Sequence, residues 1–266
     1  MPTLQFIRPN AASINIEFRQ IGEGPDLVLL HSLLSEMTVF DPLLPELARS
    51  QRVTLFNLPG YGASAPARLD GLEAHADFIA RALDALQLPA SVDVFGSGLG
   101  GALALQLGLS HGERVRRLLA AGVAPRFDGR ARAPFRVLAD TARRDGMGAV
   151  LPAVRQRMFT PEFCAAQPQA LRMRQAALEM VDRDCFIRAC QALARSEFTA
   201  RLPGIKVPVL VLCGLRDRIT PPSVAREVAR GIGGAEFREI PDCGHSPMTE
   251  QPAMLASLID AFRAPR

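Results

Sequence analysis

The sequence lacks the long apolar segments and basic clusters that mark membrane and nucleic-acid-binding proteins. No uninterrupted apolar stretch is long enough to span a bilayer, and residues 1–10 carry Arg8 with no apolar core segment behind it. Lys206 is the only lysine, and the arginines are scattered rather than arranged in a stripe that could track phosphates. These absences predict a cytoplasmic protein that binds neither membranes nor nucleic acids.

The sequence also lacks cysteines at the spacing that is typical of metal-binding sites. The five cysteines, at positions 164, 185, 190, 213 and 243, form an odd set without paired spacing. In a chain with no export signal we expect them to be reduced, partly buried thiols rather than disulfides. We therefore expect no metal and no other cofactor, and a small molecule as the partner.

Apolar strand patterns alternate with amphipathic helix patterns along most of the chain. Strands are predicted at 14–18, 26–31, 53–57, 91–95, 115–123, 207–213 and 236–240. Helices are predicted at 72–86, 99–109, 223–231 and 253–262. The two arginines after Val115 suggest that the segment 115–123 begins as the end of a helix. This alternation is typical of an α/β fold with a mostly parallel sheet covered by helices on both faces.

Residues 125–203 interrupt the alternation. They show several helical patterns, mixed with arginine, methionine and phenylalanine, and no strand pattern. We therefore predict a helical cap over the sheet at 125–203. The core of the domain is then formed by residues 1–124 and 204–266, a length at which α/β domains commonly remain single units.

The segment 94–101 has the pattern of a strand, a tight turn and the start of a helix. Its glycines, at 96, 98, 100 and 101, allow a strained turn and close packing of helix on strand. Glycine-rich turns before helices also bind dinucleotides. That interpretation is disfavoured here, because the spacing with an acidic partner is missing and the turn lies late in the chain.

Four further segments follow predicted strands: His31-Ser32-Leu33, residues 57–64, residues 214–221 and residues 243–252. Together with the glycine turn, they resemble the α/β-hydrolase superfamily over essentially the whole chain. Within the superfamily, residues 41–46, 157–163 and 250–252 look like the 3-oxoadipate enol-lactonase group. The resemblance implies an α/β-hydrolase fold and chemistry at an ester-like carbonyl group.

The chain departs from the family pattern at the nucleophile. The family's turn is G-x-S-x-G-G, and here Leu99 precedes the glycine pair, so the nucleophile position falls on Gly98. Ser97 lies one residue too early, and a tight turn aims successive side chains in different directions. Ser32 is a second departure, where the family usually has glycine, and Asn57 is a third, where it usually has aspartate.

The resemblance implies roles for several residues near this turn. His245 matches the catalytic base, and Asp217 matches the carboxylate that orients its imidazole. The backbone N–H groups of Leu33 and Leu99 match the oxyanion hole. An alternative role for Asp217 is to cap the helix that begins near residue 221. Two side chains are candidate substrate contacts: Ser32 and Ser97.

We predict an enzyme that acts on a small carbonyl compound (an ester, a lactone or a C–C bond). It would use His–Asp general base catalysis and a backbone oxyanion hole, without the usual serine nucleophile. The space above Gly98 would hold an attacking water. Two alternatives stay open: a non-catalytic ligand-binding relative, and an enol-lactonase-like serine hydrolase inactivated by a Ser-to-Gly replacement. The presence of His245 and Asp217 favours an enzyme over a binding protein. Self-association into a homodimer also stays open.

Overall fold

A computed structural model of the chain describes residues 5–7, 14–150 and 157–264. Parts of two segments discussed above lie outside the described residues. They are residues 1–4 and 8–10 near the start of the chain and residues 151–156 of the predicted cap. The described strands are β1 (Gln5–Ile7), β2 (Ile16–Ile21), β3 (Asp26–Leu30), β4 (Arg52–Phe56), β5 (Val92–Ser97), β6 (Val115–Ala121), β7 (Val209–Gly214) and β8 (Glu236–Ile240). They form one sheet in the order β1-β2-β4-β3-β5-β6-β7-β8.

The described α-helices lie between and after these strands. They are α1 (Leu44–Leu47), α2 (Gly71–Ala85), α3 (Leu99–Ser110), α4 (Gly129–Asp145), α5 (Pro161–Ala166), α6 (Pro168–Glu179), α7 (Arg183–Ala194), α8 (Pro222–Gly231), α9 (Pro247–Glu250) and α10 (Pro252–Arg263). Short 3-10 helices occur at Met37–Leu43, Gly112–Arg114, Met147–Val150 and Leu202–Gly204.

The centre of the sheet is buried on both faces, which explains the apolar runs of its inner strands. Strands β3 to β8 pair in parallel, whereas β1 with β2 and β2 with β4 are antiparallel. Within β3, Val28 and Leu30 join the core on the side of α2 and α3, and Leu27 and Leu29 join the core on the side of α10. A strand covered by helices on both faces needs apolar residues at every position. The predicted fold class, a mostly parallel sheet between helical layers, is confirmed.

Two details of the sheet differ from the sequence-based expectation. Strand β1 was not predicted, and the segment 115–123 does not begin as a helix. Its arginines belong to β6, and only Gly112–Arg114 before them is helical. Arg116 lies 2.8 Å and Arg117 3.6 Å from the carboxylate of Asp93, whose side chain is almost fully buried. A strand can therefore begin with two arginines, because the buried acid on β5 binds them.

The described part of 125–203 contains the helices α4 to α7 and no strand of its own. Its β-structure is limited there to the single bridge between Arg126 and Glu197. Helices α4 and α7 pack against each other. None of the helices among the described residues combines the length and the apolar character needed to cross a membrane.

Parallel pairing places the carboxyl ends of six neighbouring strands at one edge of the sheet. Strands β3 to β8 all end there, each followed by a loop. In open α/β sheets, ligands bind at this edge because the loops that leave the strands converge there. The segments that resemble the α/β-hydrolase motifs are therefore brought together.

Candidate active site

A tight turn joins strand β5 to helix α3. The strand ends at Ser97 and the helix begins at Leu99, which leaves Gly98 at the turn with φ 56° and ψ −114°. Glycine adopts a positive φ without the steric cost that a Cβ brings. Glycine is also required at position 100, where a Cβ would overlap the carbonyl oxygen of Leu30. The glycines thus allow a sharp turn that sets α3 tightly against the sheet.

The loop after strand β3 is held by a buried histidine. His31 accepts a hydrogen bond at Nε2 from the backbone N–H of Leu58 (3.0 Å) and donates one from Nδ1 to the carbonyl of Ser32 (2.9 Å). Burial lowers the pKa of His31 to about 4, so the ring is neutral and keeps one nitrogen as an acceptor. The hydroxyl of Tyr61 donates to the carbonyl of Leu33 (3.1 Å). These contacts fix the backbone of residues 31–33.

Two backbone N–H groups near Gly98 have no acceptor. Neither Leu33 nor Leu99 donates its N–H to any atom of the residues that the structure describes. Leu99 is the first residue of α3, where N–H groups have no partner inside the helix and the helix dipole favours negative charge. Both residues line the same cavity. Their N–H groups are therefore available to an oxygen atom of a bound molecule.

A histidine and an aspartate meet at the same edge of the sheet. Nδ1 of His245, in the loop after β8, lies 2.8 Å from Oδ2 of Asp217, in the loop after β7. Asp217 also accepts hydrogen bonds from the N–H groups of Ile219 (2.7 Å) and Thr220 (3.0 Å) and from the Thr220 hydroxyl (2.8 Å). Because the carboxylate accepts, Nδ1 of His245 carries the proton and Nε2 is left as the basic nitrogen.

The electrostatics of the pair favour the charged imidazole. Burial disfavours imidazolium, but the charge and hydrogen bond of Asp217 outweigh it and raise the pKa of His245 above its ordinary value of 6.5. Burial also works against the Asp217 carboxylate, yet His245 and the hydrogen bonds from residues 219 and 220 hold the pKa of Asp217 below its ordinary value. The pair can therefore take up a proton at Nε2 and stabilise the cation that results.

His245 faces the turn at Gly98. A Cβ built on Gly98 would lie 3.4 Å from Nε2 of His245 and 3.3 Å from Cβ of Ser32. The same Cβ would also overlap the Ser32 hydroxyl oxygen, so the space beside Gly98 is occupied by the side chain of Ser32. Ser97 does not reach this place. It is fully buried, is not among the residues that line the cavity, and its hydroxyl finds no partner among the described residues.

A cavity of about 680 Å³ opens over these groups. It is lined by the loops that carry Ser32, Leu33, Gly98, Leu99 and His245. Apolar residues of the segment that includes α4 also line it: Phe127, Ala131, Pro134, Phe135 and Leu138. This is the size and apolar character of a site for a small ligand.

The comparison with known proteins agrees with this arrangement. The sequence profile described as the alpha/beta hydrolase family matches residues 27–258, which includes all of the loops at the carboxyl edge of the sheet. The chain belongs to the alpha/beta hydrolase family. Its relatives include proteins named esterases and enol-lactonases, so this family member is an enzyme of the hydrolase kind.

Three relatives illustrate the similarity of this hydrolase to characterised proteins. It is 30% identical over 258 residues to a pimeloyl-[acyl-carrier protein] methyl ester esterase of Nitrosomonas europaea, with 94% of this chain and all of that protein covered. It is 25% identical over 257 residues to 3-oxoadipate enol-lactonase 2 of Acinetobacter baylyi, with 94% of each covered. The crystal structure of the enol-lactonase from Burkholderia xenovorans LB400 superposes with a TM-score of 0.89 at 26% identity, covering 98% and 99% of the two chains.

The hydrolase contains a glycine at the site that the sequence analysis missed. Gly122 follows strand β6 with φ +64°, and a Cβ there would lie 2.8 Å from Cε1 and 3.1 Å from Nδ1 of His245. Glycine is therefore the residue that leaves room for the imidazole in its present position. A glycine directly after a buried strand was the available signal, but its contact with His245 depends on a loop more than a hundred residues away.

Replacing Gly122 by alanine should displace the imidazole from Asp217. We expect kcat to fall by roughly ten- to a hundredfold, since small misplacements of a reacting group have effects of that size, with less change in KM. Gly234→Ala is the matched control, because Gly234 has φ +75° but nothing within 4 Å of an added Cβ. Steady-state kinetics and melting temperatures of both variants test the idea. An equal loss of kcat in both variants would show that backbone strain at a positive φ, and not contact with His245, lowers the activity.

The loop of His245 is also tied to the segment between β6 and β7. The N–H of His245 donates to the carbonyl of Met158 (2.8 Å). The carboxylate of Glu250 accepts from the N–H groups of Gly244 (3.0 Å) and Thr160 (2.8 Å). The position of the histidine therefore depends on residues 158–160 as well as on the sheet.

The two cysteines near the site are poor nucleophiles. Cys213 and Cys243 are both buried, and burial raises the pKa of Cys213 to about 12 and raises that of Cys243 as well. A thiol reacts as the thiolate, so neither side chain is primed for nucleophilic attack. This agrees with the interpretation of both as small buried residues.

Proposed function

We propose that this hydrolase cleaves small carboxylic esters or lactones, with His245 as the general base and Asp217 as the carboxylate that orients it. The observation that carries the proposal is the 2.8 Å contact of Nδ1 with Asp217, which leaves Nε2 facing the turn at Gly98. A relative named methyl ester esterase and another named enol-lactonase support the same substrate class.

The proposed chemistry uses groups that meet in one cavity. His245 takes the proton from an attacking hydroxyl group as its oxygen bonds to the substrate carbonyl carbon. The oxygen of the carbonyl becomes negative and accepts hydrogen bonds from the N–H groups of Leu33 and Leu99, each of which contributes about 3 kcal/mol in comparable sites. The protonated His245 then donates its proton to the departing alcohol. Gly98 has no side chain, so the turn itself supplies no attacking group.

We further propose that residues 125–203 act as a cap that selects the substrate. Phe127, Phe135 and Leu138 line the same cavity as the catalytic loops, where they would contact the apolar part of an ester. Burial of apolar substrate surface there also excludes water from the site, which strengthens the hydrogen bonds to the developing charge.

Three arginines at the cavity favour a substrate with a negative charge. Arg130, Arg157 and Arg218 line it, are exposed, and form no ion pair with any acid in the described parts of the chain. A guanidinium without an acidic partner binds carboxylates well, because its N–H groups match both carboxylate oxygens. We therefore propose an ester or lactone whose apolar body ends in a carboxylate.

A substrate panel tests this function. Methyl and p-nitrophenyl esters of four to eight carbons, each with and without a terminal carboxylate, and small lactones should be assayed for hydrolysis. We expect turnover of esters or lactones, with a lower KM for the carboxylate-bearing member of each pair. Absence of turnover across the panel, combined with tight binding of the same compounds, would favour the non-catalytic relative instead.

The rate should depend on pH through His245. A base must be neutral to accept a proton, so activity should rise with pH and reach half its plateau above pH 6.5, because Asp217 raises the pKa of His245. Asp217→Asn should move this midpoint to lower pH, since burial without the carboxylate disfavours imidazolium. Measuring kcat/KM from pH 5 to 9 for both proteins checks the sign. A midpoint that moves upward, or does not move, would contradict the assignment.

A further inference from the structure

Ser32 has a fixed backbone and a free hydroxyl. Its N–H donates to Oγ of Ser35 (3.1 Å), and its carbonyl accepts from Nδ1 of His31 (2.9 Å). The residue is buried, with a relative exposure of 5%, and lies at the wall of the cavity. Its Oγ forms no hydrogen bond within the described residues. A hydroxyl at the wall of a cavity that has no partner within the protein is available to a ligand or to a reaction.

This free hydroxyl lies where a nucleophile at the turn would begin. The Cβ that Gly98 lacks would overlap Oγ of Ser32, and the same point is 3.4 Å from Nε2 of His245. Nε2 also has no hydrogen-bond partner among the residues that the structure describes. The hydroxyl of Ser32 therefore fills the place of the side chain that Gly98 lacks, next to the basic nitrogen of His245.

Ser32 also directly precedes Leu33, whose N–H is one of the two proposed oxyanion donors. At a nucleophile elbow, the N–H of the residue after the nucleophile binds the oxyanion. Leu33 follows Ser32 directly, and its N–H has no acceptor within the described parts of the chain. A carbonyl carbon attacked by Oγ of Ser32 would thus have its oxygen close to the N–H of Leu33, as in the elbow arrangement.

We propose that Ser32 is the nucleophile of this enzyme, transferred from the turn after β5 to the loop after β3. Nε2 of His245 takes the proton of Ser32 Oγ as Oγ bonds to the substrate carbonyl carbon. The tetrahedral intermediate collapses, the C–O bond to the alcohol breaks, and the alcohol leaves with the proton from His245. The product of this half-reaction is an ester of Ser32.

The second half-reaction returns the enzyme to its starting state. His245 removes a proton from water as the water oxygen bonds to the acyl carbon. The bond from that carbon to Ser32 Oγ breaks, Oγ regains the proton from His245, and the carboxylic acid leaves. One ester and one water give one acid and one alcohol, with no other reactant. This mechanism rests on the proposed ester or lactone hydrolysis and specifies its attacking group.

Covalent labelling tests the assignment of Ser32. The full-length protein is incubated with a fluorophosphonate, digested, and the modified peptide is mapped by mass spectrometry. We expect one label on Ser32, absent from Ser32→Ala and strongly reduced in His245→Ala. Ser97→Ala is the matched control, since Ser97 is buried outside the cavity, and it should be labelled like the wild type. A second variant, Ser32→Cys, should react with iodoacetamide at position 32 faster than at the buried cysteines.

The kinetic result separates this mechanism from the broader function. If Ser32 is the nucleophile, ester turnover by Ser32→Ala should fall by about a thousandfold or more. Turnover that survives in Ser32→Ala but is lost in His245→Ala would overturn the role of Ser32 and keep the ester hydrolase, with water as the attacking group. A label at another residue, or none on the wild type, would also overturn it. Melting temperatures confirm that each variant is folded.

Discussion

His245→Ala is expected to lower kcat by about three to four orders of magnitude, with a much smaller effect on KM. Loss of the base removes the group that accepts the proton of the attacking hydroxyl, and comparable deletions in catalytic triads have effects of at least this size. Asp217→Asn should cost less, since Nε2 would remain but its ring would lose the carboxylate that orients and charges it. Steady-state kinetics with the best substrate of the panel give kcat and KM for both variants.

The chain offers a control for these two variants. His111 and Asp77 form a second histidine–aspartate contact, with 2.7 Å between Nε2 and the carboxylate, on the surface away from the cavity. His111→Ala and Asp77→Asn remove the same groups from a solvent-exposed pair, which contributes at most about 1 kcal/mol to stability. Turnover should be unchanged in both. Wild-type turnover in His245→Ala would remove the proposed role of the base.

Gly98→Ser and Ser32→Gly are expected to be strongly non-additive. Gly98→Ser alone places a Cβ against Oγ of Ser32 at a position with φ +56°, so it should lose roughly 1–3 kcal/mol of stability and much of its activity. Ser32→Gly alone removes the proposed nucleophile. The double variant relieves the overlap. It also supplies a hydroxyl at position 98, on a Cβ that lies 3.4 Å from Nε2 of His245.

We therefore expect the double variant to be at least about a hundredfold more active than Ser32→Gly, a coupling far larger than that of independent sites. The measurement is kcat/KM on an activated ester for the wild type, both single variants and the double variant, together with the position of the fluorophosphonate label. The label should move from residue 32 to residue 98. Additive losses in the double variant would show that His245 does not serve position 98. Placing a serine at the turn thus requires a change at Ser32, which the expectation of an empty space above Gly98 did not foresee.

The sequence predicts the sheet well because its strands depend on local patterns. Strands β3, β6 and β7 contain apolar runs, and such patterns do not depend on distant parts of the chain. Strand β1 has only three residues, too few to show a period. The arginines at the start of β6 were misassigned because their partner, Asp93, lies on another strand.

The candidate site could also be predicted only in part: the sequence identifies its loops, but not the contacts between them. His245 and Asp217 lie in loops with recognisable motifs, and the structure brings them to 2.8 Å. The relation of Ser32 to Gly98 could not be predicted, since it depends on how closely two loops approach at the edge of the sheet. The contact of Gly122 with His245 arises from the same approach, and Ser97, although next to the turn, points into the interior. Motifs identify which loops form the site, whereas packing decides which atoms meet there.

The hydrogen bond from Tyr61 to Leu33 has a practical consequence for spectroscopy. The chain contains one tyrosine and no tryptophan, so its tyrosine fluorescence arises from a single side chain. That side chain is buried, and its hydroxyl donates a hydrogen bond to the carbonyl of Leu33, whose N–H has no acceptor among the described residues. Burial raises the pKa of Tyr61 well above 10, so the phenol stays protonated throughout the working range. The intrinsic fluorescence of the protein is therefore a built-in reporter of the loop beside the reacting carbonyl, and it can follow ligand arrival without an attached dye.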